Sequence, residues 1–332
     1  KSGIRLSPCS AFFRKNTGEW KMAGIILKQA VLMLLLNLVG MIAYRTKIVD
    51  AKGGRQFSAF VLEIVTPVLV VTAYADVEYQ PKLVKNLLWT FVLAAAAYGI
   101  VILLAQLLIQ KKDGRETAIE RFSAVYSNCG FMGIPLASAL LGTEGVFYCT
   151  AFLTVFFVFA WTHGILLLTG QHDRKALLRK LTSPTMIGIV IGLLLFFFRI
   201  HFPELLQTAC GYVSGLNTPL GMIASGISVA QANLPRAFRN PRVYYVSAVK
   251  LILVPLVLCL LFLPLTFIPD NIRLVVMLLM AAPSATMCTL QCQKHGMNDG
   301  YASHIFAVTT LLSMLTMPLM VKLFTFGQSL LQ

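Results

Sequence analysis

Apolar runs of about 20 residues recur along the whole chain, and this recurrence constrains the fold more than any other feature. Only 12% of the 332 residues are charged, which is about half the share found in soluble proteins. A run of this length and polarity predicts a helix that spans a lipid bilayer. The sequence therefore predicts an all-α polytopic membrane protein, and it excludes a soluble enzyme and a disordered chain.

Ten apolar segments can be distinguished, joined by short connections. They cover residues 23–44, 57–76, 84–109, 118–141, 146–169, 183–200, 205–230, 243–268, 272–293 and 302–326. The longest central connection carries five charged residues and divides the segments into two sets of five. The predicted organisation is an N-terminal extension without function (1–21), a first five-helix repeat (22–169), a short linker (170–182) and a second five-helix repeat (183–332).

Lysine and arginine are distributed unequally between alternate connections. One set of connections holds sixteen of them, whereas the other set, together with the C-terminal end, holds only Lys82, Lys85, Arg199, Arg273 and Lys322. Basic residues accumulate on the cytoplasmic side of membrane proteins, which predicts a cytoplasmic central loop and both termini outside. The net charge of +15 thus reflects orientation, and the absence of a basic stripe interleaved with aromatic residues argues against nucleic-acid binding.

The two halves carry local echoes of each other. Thr66-Pro67 is echoed by Thr218-Pro219, 152 residues later. Gly142, which is followed by Gly145, is echoed 154 residues later by Gly296, which is followed by Gly300. A repeat of five spans must sit in the bilayer with the opposite orientation from its partner. The sequence therefore predicts a 5+5 inverted repeat.

The fourth and ninth segments are interrupted at matching positions. Residues that disfavour a regular helix lie in the middle of each: Asn128, Cys129, Gly130, Gly133 and Pro135 in the fourth, and Pro283, Ser284 and Thr286 in the ninth. Backbone groups freed in this way cannot face lipid, and paired interruptions are typical of a substrate site near the middle of the membrane. Helix N-termini there favour an anion. The plainer alternative is two ordinary proline kinks.

The stretch Tyr126-Ser-Asn-Cys-Gly-Phe-Met-Gly-Ile-Pro-Leu136 resembles the first-half motif of the auxin efflux carrier family, which also holds bacterial malonate and malate permeases. Residues 217–226, 250–255 and 281–322 resemble later spans of that family. The resemblance implies an elevator-type transporter in which broken helices four and nine cross at the substrate, often within a homodimer. The short central loop is similar to bacterial members, and dicarboxylates and auxin-like carboxylates both stay open as substrates.

The predicted binding residues are those at the two interruptions, namely Asn128, Cys129, Gly130, Pro283, Ser284 and Thr286, flanked by Thr66 and Thr218. Lys250 lies inside an apolar segment and either attracts a carboxylate or pairs with Glu63. Glu63 is alternatively a buried proton carrier for coupling. Helix breaking or bending is assigned to Pro67, Gly133, Pro135 and Pro219. We expect no metal and no cofactor.

The chain lacks a phosphate-binding Gly-x-x-x-x-Gly-Lys motif, which argues against transport driven by nucleotide hydrolysis. It also lacks the motifs of intramembrane proteases, so an enzyme is not expected. The sequence thus predicts a secondary carrier of small organic anions in the cell membrane. Two alternatives stay open: a ligand-binding sensor on the same scaffold, and a sodium-coupled organic-anion symporter, which is disfavoured because no carboxylate cluster is seen.

Overall fold

The computed structural model describes residues 8–110, 114–170, 178 and 182–331, and every regular element within them is helical. The helices are α1 (Pro8–Arg45), α2 (Ala51–Ala75), α3 (Pro81–Leu108), α4 (Gly114–Val125), α5 (Cys129–Thr169), α6 (Pro184–Phe198), α7 (Glu204–Gly215), α8 (Asn217–Gln231), α9 (Leu234–Arg239), α10 (Pro241–Phe262), α11 (Asp270–Ala281), α12 (Met287–Lys294) and α13 (Asp299–Leu331). The predicted all-α class is confirmed.

Six stretches of helix are long and apolar enough to cross a membrane by themselves: Leu27–Arg45, Ala51–Ala75, Pro81–Leu108, Cys129–Thr169, Pro241–Phe262 and Asp299–Leu330. Each of the ten predicted apolar segments contains helix. Large apolar side chains such as Leu35, Leu103 and Leu315 are exposed on the helix surfaces, as expected of side chains that face lipid. The chain is a multi-pass membrane protein.

Helix α5 reverses direction at Gly142. This glycine has φ 62° and ψ −144°, a conformation that a side chain would strain. A Cβ atom on Gly145 would lie 2.5 Å from the carbonyl oxygen of Ala137, whereas residues eight apart in a straight helix are separated by about 12 Å. The two arms of α5 (129–141 and 143–169) therefore belong to different predicted segments. Gly296, between α12 and α13, also has a positive φ, of 61°.

Three prolines follow a widened, π-helical turn by two residues. The turns are Val61–Val65, Cys129–Gly133 and Val249–Leu253, and the prolines are Pro67, Pro135 and Pro255. A proline ring clashes with the carbonyl four residues earlier and offers no N–H, and a wider turn relieves both problems. The expected break at Pro67 is therefore a widened turn in a continuous helix. Pro219 differs, because it directly follows the interruption between α7 and α8 at Leu216.

Two helix pairs pack so closely that glycine is required between them. A Cβ on Gly40 of α1 would overlap the carbonyl oxygen of Ile223 in α8, and a Cβ on Gly226 of α8 would overlap that of Asn37. In the second pair, a Cβ on Gly188 of α6 would lie 3.1 Å from the carbonyl oxygen of Pro67 in α2. Small residues at such contacts are the usual means of close helix association in membranes.

Most of the predicted linker 170–182 lies outside the described residues. The predicted extension 1–21 is described only in its backbone from Pro8, where it continues α1 as helix. Its lack of function stays a prediction.

We expect Gly226→Ala to destabilise the protein by about 2 kcal/mol, because the added methyl group has no room against the backbone of α1. Gly99→Ala in α3 is the matched control: its Cβ would meet nothing within 4 Å, so the better helix propensity of alanine should leave stability unchanged or higher. Thermal unfolding in detergent measures both. Equal melting temperatures for Gly226→Ala and the wild type would contradict the proposed fit between α1 and α8.

Candidate functional site

The two interrupted helices meet each other. Helix α4 ends at Val125 and α5 begins at Cys129, while α11 ends at Ala281 and α12 begins at Met287. The segments between them run antiparallel, with Ser127 paired with Ser284. The amide of Asn128 donates to the carbonyl oxygen of Pro283 at 2.7 Å, and the amide of Ala285 donates to that of Tyr126 at 2.9 Å. Residues 126–128 and 283–285 are called the crossing below.

Side chains bind the remaining backbone groups at the crossing. The Ser284 hydroxyl donates to the carbonyl oxygen of Ser123 at 2.9 Å, and its amide donates to the Thr309 hydroxyl at 3.3 Å. The Ser127 hydroxyl donates to the carbonyl oxygen of Met280 at 3.2 Å. Backbone groups away from water need such partners, so these bonds stabilise the interruption. Ser284 is one of the residues predicted to bind the anion, but its hydroxyl proton is donated here to the carbonyl oxygen of Ser123.

Lys250 reaches the crossing from the widened turn of α10. Its side chain is 0% exposed, and Nζ donates to the hydroxyl oxygen of Ser127 at 2.7 Å and to the carbonyl oxygen of Val125 at 3.5 Å. Val125 is the last residue of α4, where carbonyl groups lack helical partners and carry the negative end of the helix dipole. The Lys250 amine nitrogen therefore lies against a helix C-terminus at the crossing.

Glu63 does not have the environment predicted for it. Its side chain is exposed on the widened turn of α2, and the two ion pairs found among the described residues include neither Glu63 nor Lys250. The pairing of Glu63 with Lys250, one of the two alternatives open for Lys250, is therefore wrong. The Glu63 side chain is exposed and not buried, so its role as proton carrier loses the environment that suggested it. A widened turn changes the direction of the side chains on it, which depth along the segment cannot reveal.

Asn128 combines burial with an unused donor. Its side chain is 6% exposed, and its Nδ2 has no hydrogen-bond partner among the described residues. Cys129 and Gly130 follow it at the start of α5, where the first amides have no partner within the helix. A Cβ on Gly130 would come no closer than 3.9 Å to Leu62, so its backbone is approachable. Unused amides at a helix start favour a carboxylate.

The other predicted residues have contacts of their own. The Thr66 hydroxyl donates to Oδ1 of Asn217 at 3.2 Å, which joins α2 and α8 at their Thr-Pro pairs. Thr218 is next to Asn217 and half-buried. Thr286 is half-buried at the start of α12, and no bond from its side chain caps that helix. Gly133 serves close packing, because a Cβ there would overlap the Leu279 side chain of α11.

Comparison with known sequences identifies the family. A profile of the membrane transport protein family, which includes the auxin efflux carriers, matches residues 25–176 and 171–321. The chain belongs to this family. It is 25% identical over 203 residues to a protein of Methanothermobacter thermautotrophicus named an uncharacterized transporter, covering 59% of this chain and 65% of that protein. It is 26% identical over 243 residues to a Rhizobium meliloti protein provisionally named a malonate transporter, covering 68% of this chain and 72% of that protein.

In this member of the family, a network of charged and polar side chains joins α4, the helix that ends at the crossing, to α10 and α13. The sequence gives little indication of it. Arg242 of α10 donates two hydrogen bonds to the Glu120 carboxylate of α4, at 2.8 Å and 2.7 Å, and the Tyr301 hydroxyl of α13 donates to the same group at 2.7 Å. Glu120 is buried and Arg242 half-exposed. The sequence signals are only an acidic residue within an apolar segment and a basic residue just before another one.

We expect Glu120→Gln to lower the stability of this transporter-family protein by about 2 kcal/mol, because it leaves the Arg242 guanidinium without a counter-ion. The double variant Glu120→Gln/Arg242→Gln should lose less than the sum of the two single variants. Thermal unfolding measures the three, and Glu204→Gln, which changes an exposed carboxylate, is the control. Strict additivity would show that the two side chains do not stabilise each other.

Proposed function

We propose that the chain is a secondary carrier that moves small organic anions across the cell membrane by alternating access. One observation carries the proposal: the unused side-chain amide of Asn128 lies at the meeting point of two interrupted helices, beside the starts of α5 and α12 and next to the residue that binds the Lys250 side chain. Amide donors, helix N-termini and a buried cation together favour a carboxylate. Membership of a transporter family supports movement of that carboxylate rather than its conversion.

The proposed architecture has ten spans in two inverted halves. Two features support it. The glycines predicted to correspond, Gly142 and Gly296, both have a positive φ, and the pairing of α1 with α8 has its counterpart in the pairing of α6 with α2. An exchange of the two halves converts one pair into the other. In this proposal the crossing and the helices around it move as an elevator against these two pairs.

The proposed orientation has the basic connections in the cytoplasm. Two clefts support the placement of these connections at the same end of the molecule. One, of 770 Å³, is lined by Arg45, Lys47 and Asn233. The other, of 560 Å³, is lined by Arg236, Asp299 and His304. The homodimer implied by the family resemblance stays a prediction.

Uptake into proteoliposomes tests the function. We expect wild-type protein to move at least one of radiolabelled malonate, malate and indole-3-acetate, and Asn128→Ala to reduce that flux at least tenfold, because it removes the unused donor. Asn271→Ala, on an exposed residue at the start of α11, is the matched control and should keep full flux. Malonate is included because of the name of the Rhizobium meliloti relative.

The outcomes separate a carrier from the alternatives. Binding without flux under any gradient would favour a sensor and defeat the carrier proposal. Flux that requires sodium would favour the sodium-coupled symporter. Full flux in folded Asn128→Ala would remove that residue from the site without affecting the proposal of transport.

The orientation has its own test. The test uses protein in which Cys9 and Cys210 are changed to serine. An impermeant maleimide added to intact cells should label Lys82→Cys. It should label Lys294→Cys only after the cells are opened. Both lysines are exposed and occupy connections proposed to lie on opposite sides. Labelling of Lys294→Cys in intact cells would reverse the orientation.

A further inference from the structure

Lys250 is a fully buried amine whose described partners are all neutral. Its Nζ is bonded to the hydroxyl oxygen of Ser127 and to the carbonyl oxygen of Val125. An ammonium group taken out of water without an anionic partner costs several kcal/mol, and two neutral oxygens offset only part of that. Loss of a proton from Lys250 therefore costs little free energy, because the neutral amine avoids the cost of a buried charge.

Within the part of the chain that the structure describes, the elements packed around the widened turn of α10 bring no free carboxylate to Lys250. They are α4, α11 and α13, together with the neighbouring parts of α10 itself. Their acidic residues have other roles: Glu120 is held by Arg242 and Tyr301, Asp270 is held by Arg273, Glu116 accepts from Asn298, and Asp299 begins α13. The titratable group that interacts electrostatically with Lys250 is the Cys129 thiol at the start of α5.

An anion at the proposed site would supply the missing charge. Lys250 binds Ser127, and the next residue is Asn128, whose side-chain amide has no described hydrogen-bond partner. A carboxylate bound at Asn128 would therefore lie close to the ammonium group. Its presence favours the charged form of Lys250, and its departure favours the neutral amine.

We propose that Lys250 is the proton carrier that couples anion transport to the proton gradient. The amine of the empty site takes up one proton when one anion binds, and the ammonium and the anion then cross together. On the other side the anion leaves and the amine releases the proton, so each cycle moves one anion and one proton in the same direction. This inference rests on the proposed carrier function and assigns to Lys250 the role first considered for Glu63.

Proton uptake on binding tests the inference directly. Malonate is added to detergent-solubilised protein in weakly buffered solution containing a pH dye. We expect the wild type to take up about one proton per bound malonate, and Lys250→Arg to take up none, because a guanidinium group keeps its donors and charge but never loses its proton. A proton taken up by malonate itself would appear equally in both proteins. Lys294→Arg, on an exposed lysine, should behave as the wild type.

Gradient-driven uptake is the second measurement. With the membrane potential held at zero, an inward gradient of about one pH unit should raise malonate accumulation in wild-type proteoliposomes about tenfold. We expect Lys250→Arg and the neutral Lys250→Gln to lose this response. If these variants still exchange labelled for unlabelled malonate, the rate of that exchange should not depend on pH. Lys250→Arg keeps a positive charge at this position and Lys250→Gln removes it, so the inference does not depend on one variant folding.

The outcomes distinguish the two proposals. Wild-type protein that moves malonate without a response to the gradient, or a variant of Lys250 that keeps the tenfold response, overturns the role of Lys250 and leaves the carrier intact. If the wild type moves none of malonate, malate and indole-3-acetate under any gradient, the proposed function fails and this inference fails with it.

Discussion

The hydrogen bonds between the two interrupted helices are the constraint on which the rest of the structure depends. A lipid bilayer offers no water to an open backbone group, so a helix can stop within an apolar segment only where protein supplies the partners. Here each interruption supplies them for the other, through Asn128 and Pro283 and through Tyr126 and Ala285. Neither interruption could exist alone. Their meeting then concentrates two helix starts and two helix ends in one place, and that gives the centre its mixed electrostatic character.

Proline and glycine have different structural roles in this protein. The prolines at 67, 135 and 255 are accommodated by widened turns, which bend a span without opening it, whereas the glycines permit close contact or reversal. Lys250 and Glu63 both lie on such widened turns, one fully buried and the other exposed. The burial of a charged side chain on a widened turn therefore depends on the helices packed against that turn.

Features that depend on neighbouring residues could be predicted from the sequence, and features that depend on distant ones could not. The helices, their approximate limits and the interruption around Asn128 follow from apolar length and from local glycine and proline content. The sequence could not decide between the two alternatives for Lys250, because depth along two segments says nothing about the direction of their side chains. The bond between Glu120 and Arg242 joins residues 122 positions apart, and no periodicity within either helix indicates it.

That separation has a consequence for biosynthesis. A ribosome adding about 5–20 residues per second completes Arg242 some 6–24 seconds after Glu120. Throughout that interval the nascent first half has a carboxylate without its cation and an interrupted helix without the segment that satisfies it. The ion pair and the hydrogen bonds that complete the crossing can therefore form only after the second half has been synthesised.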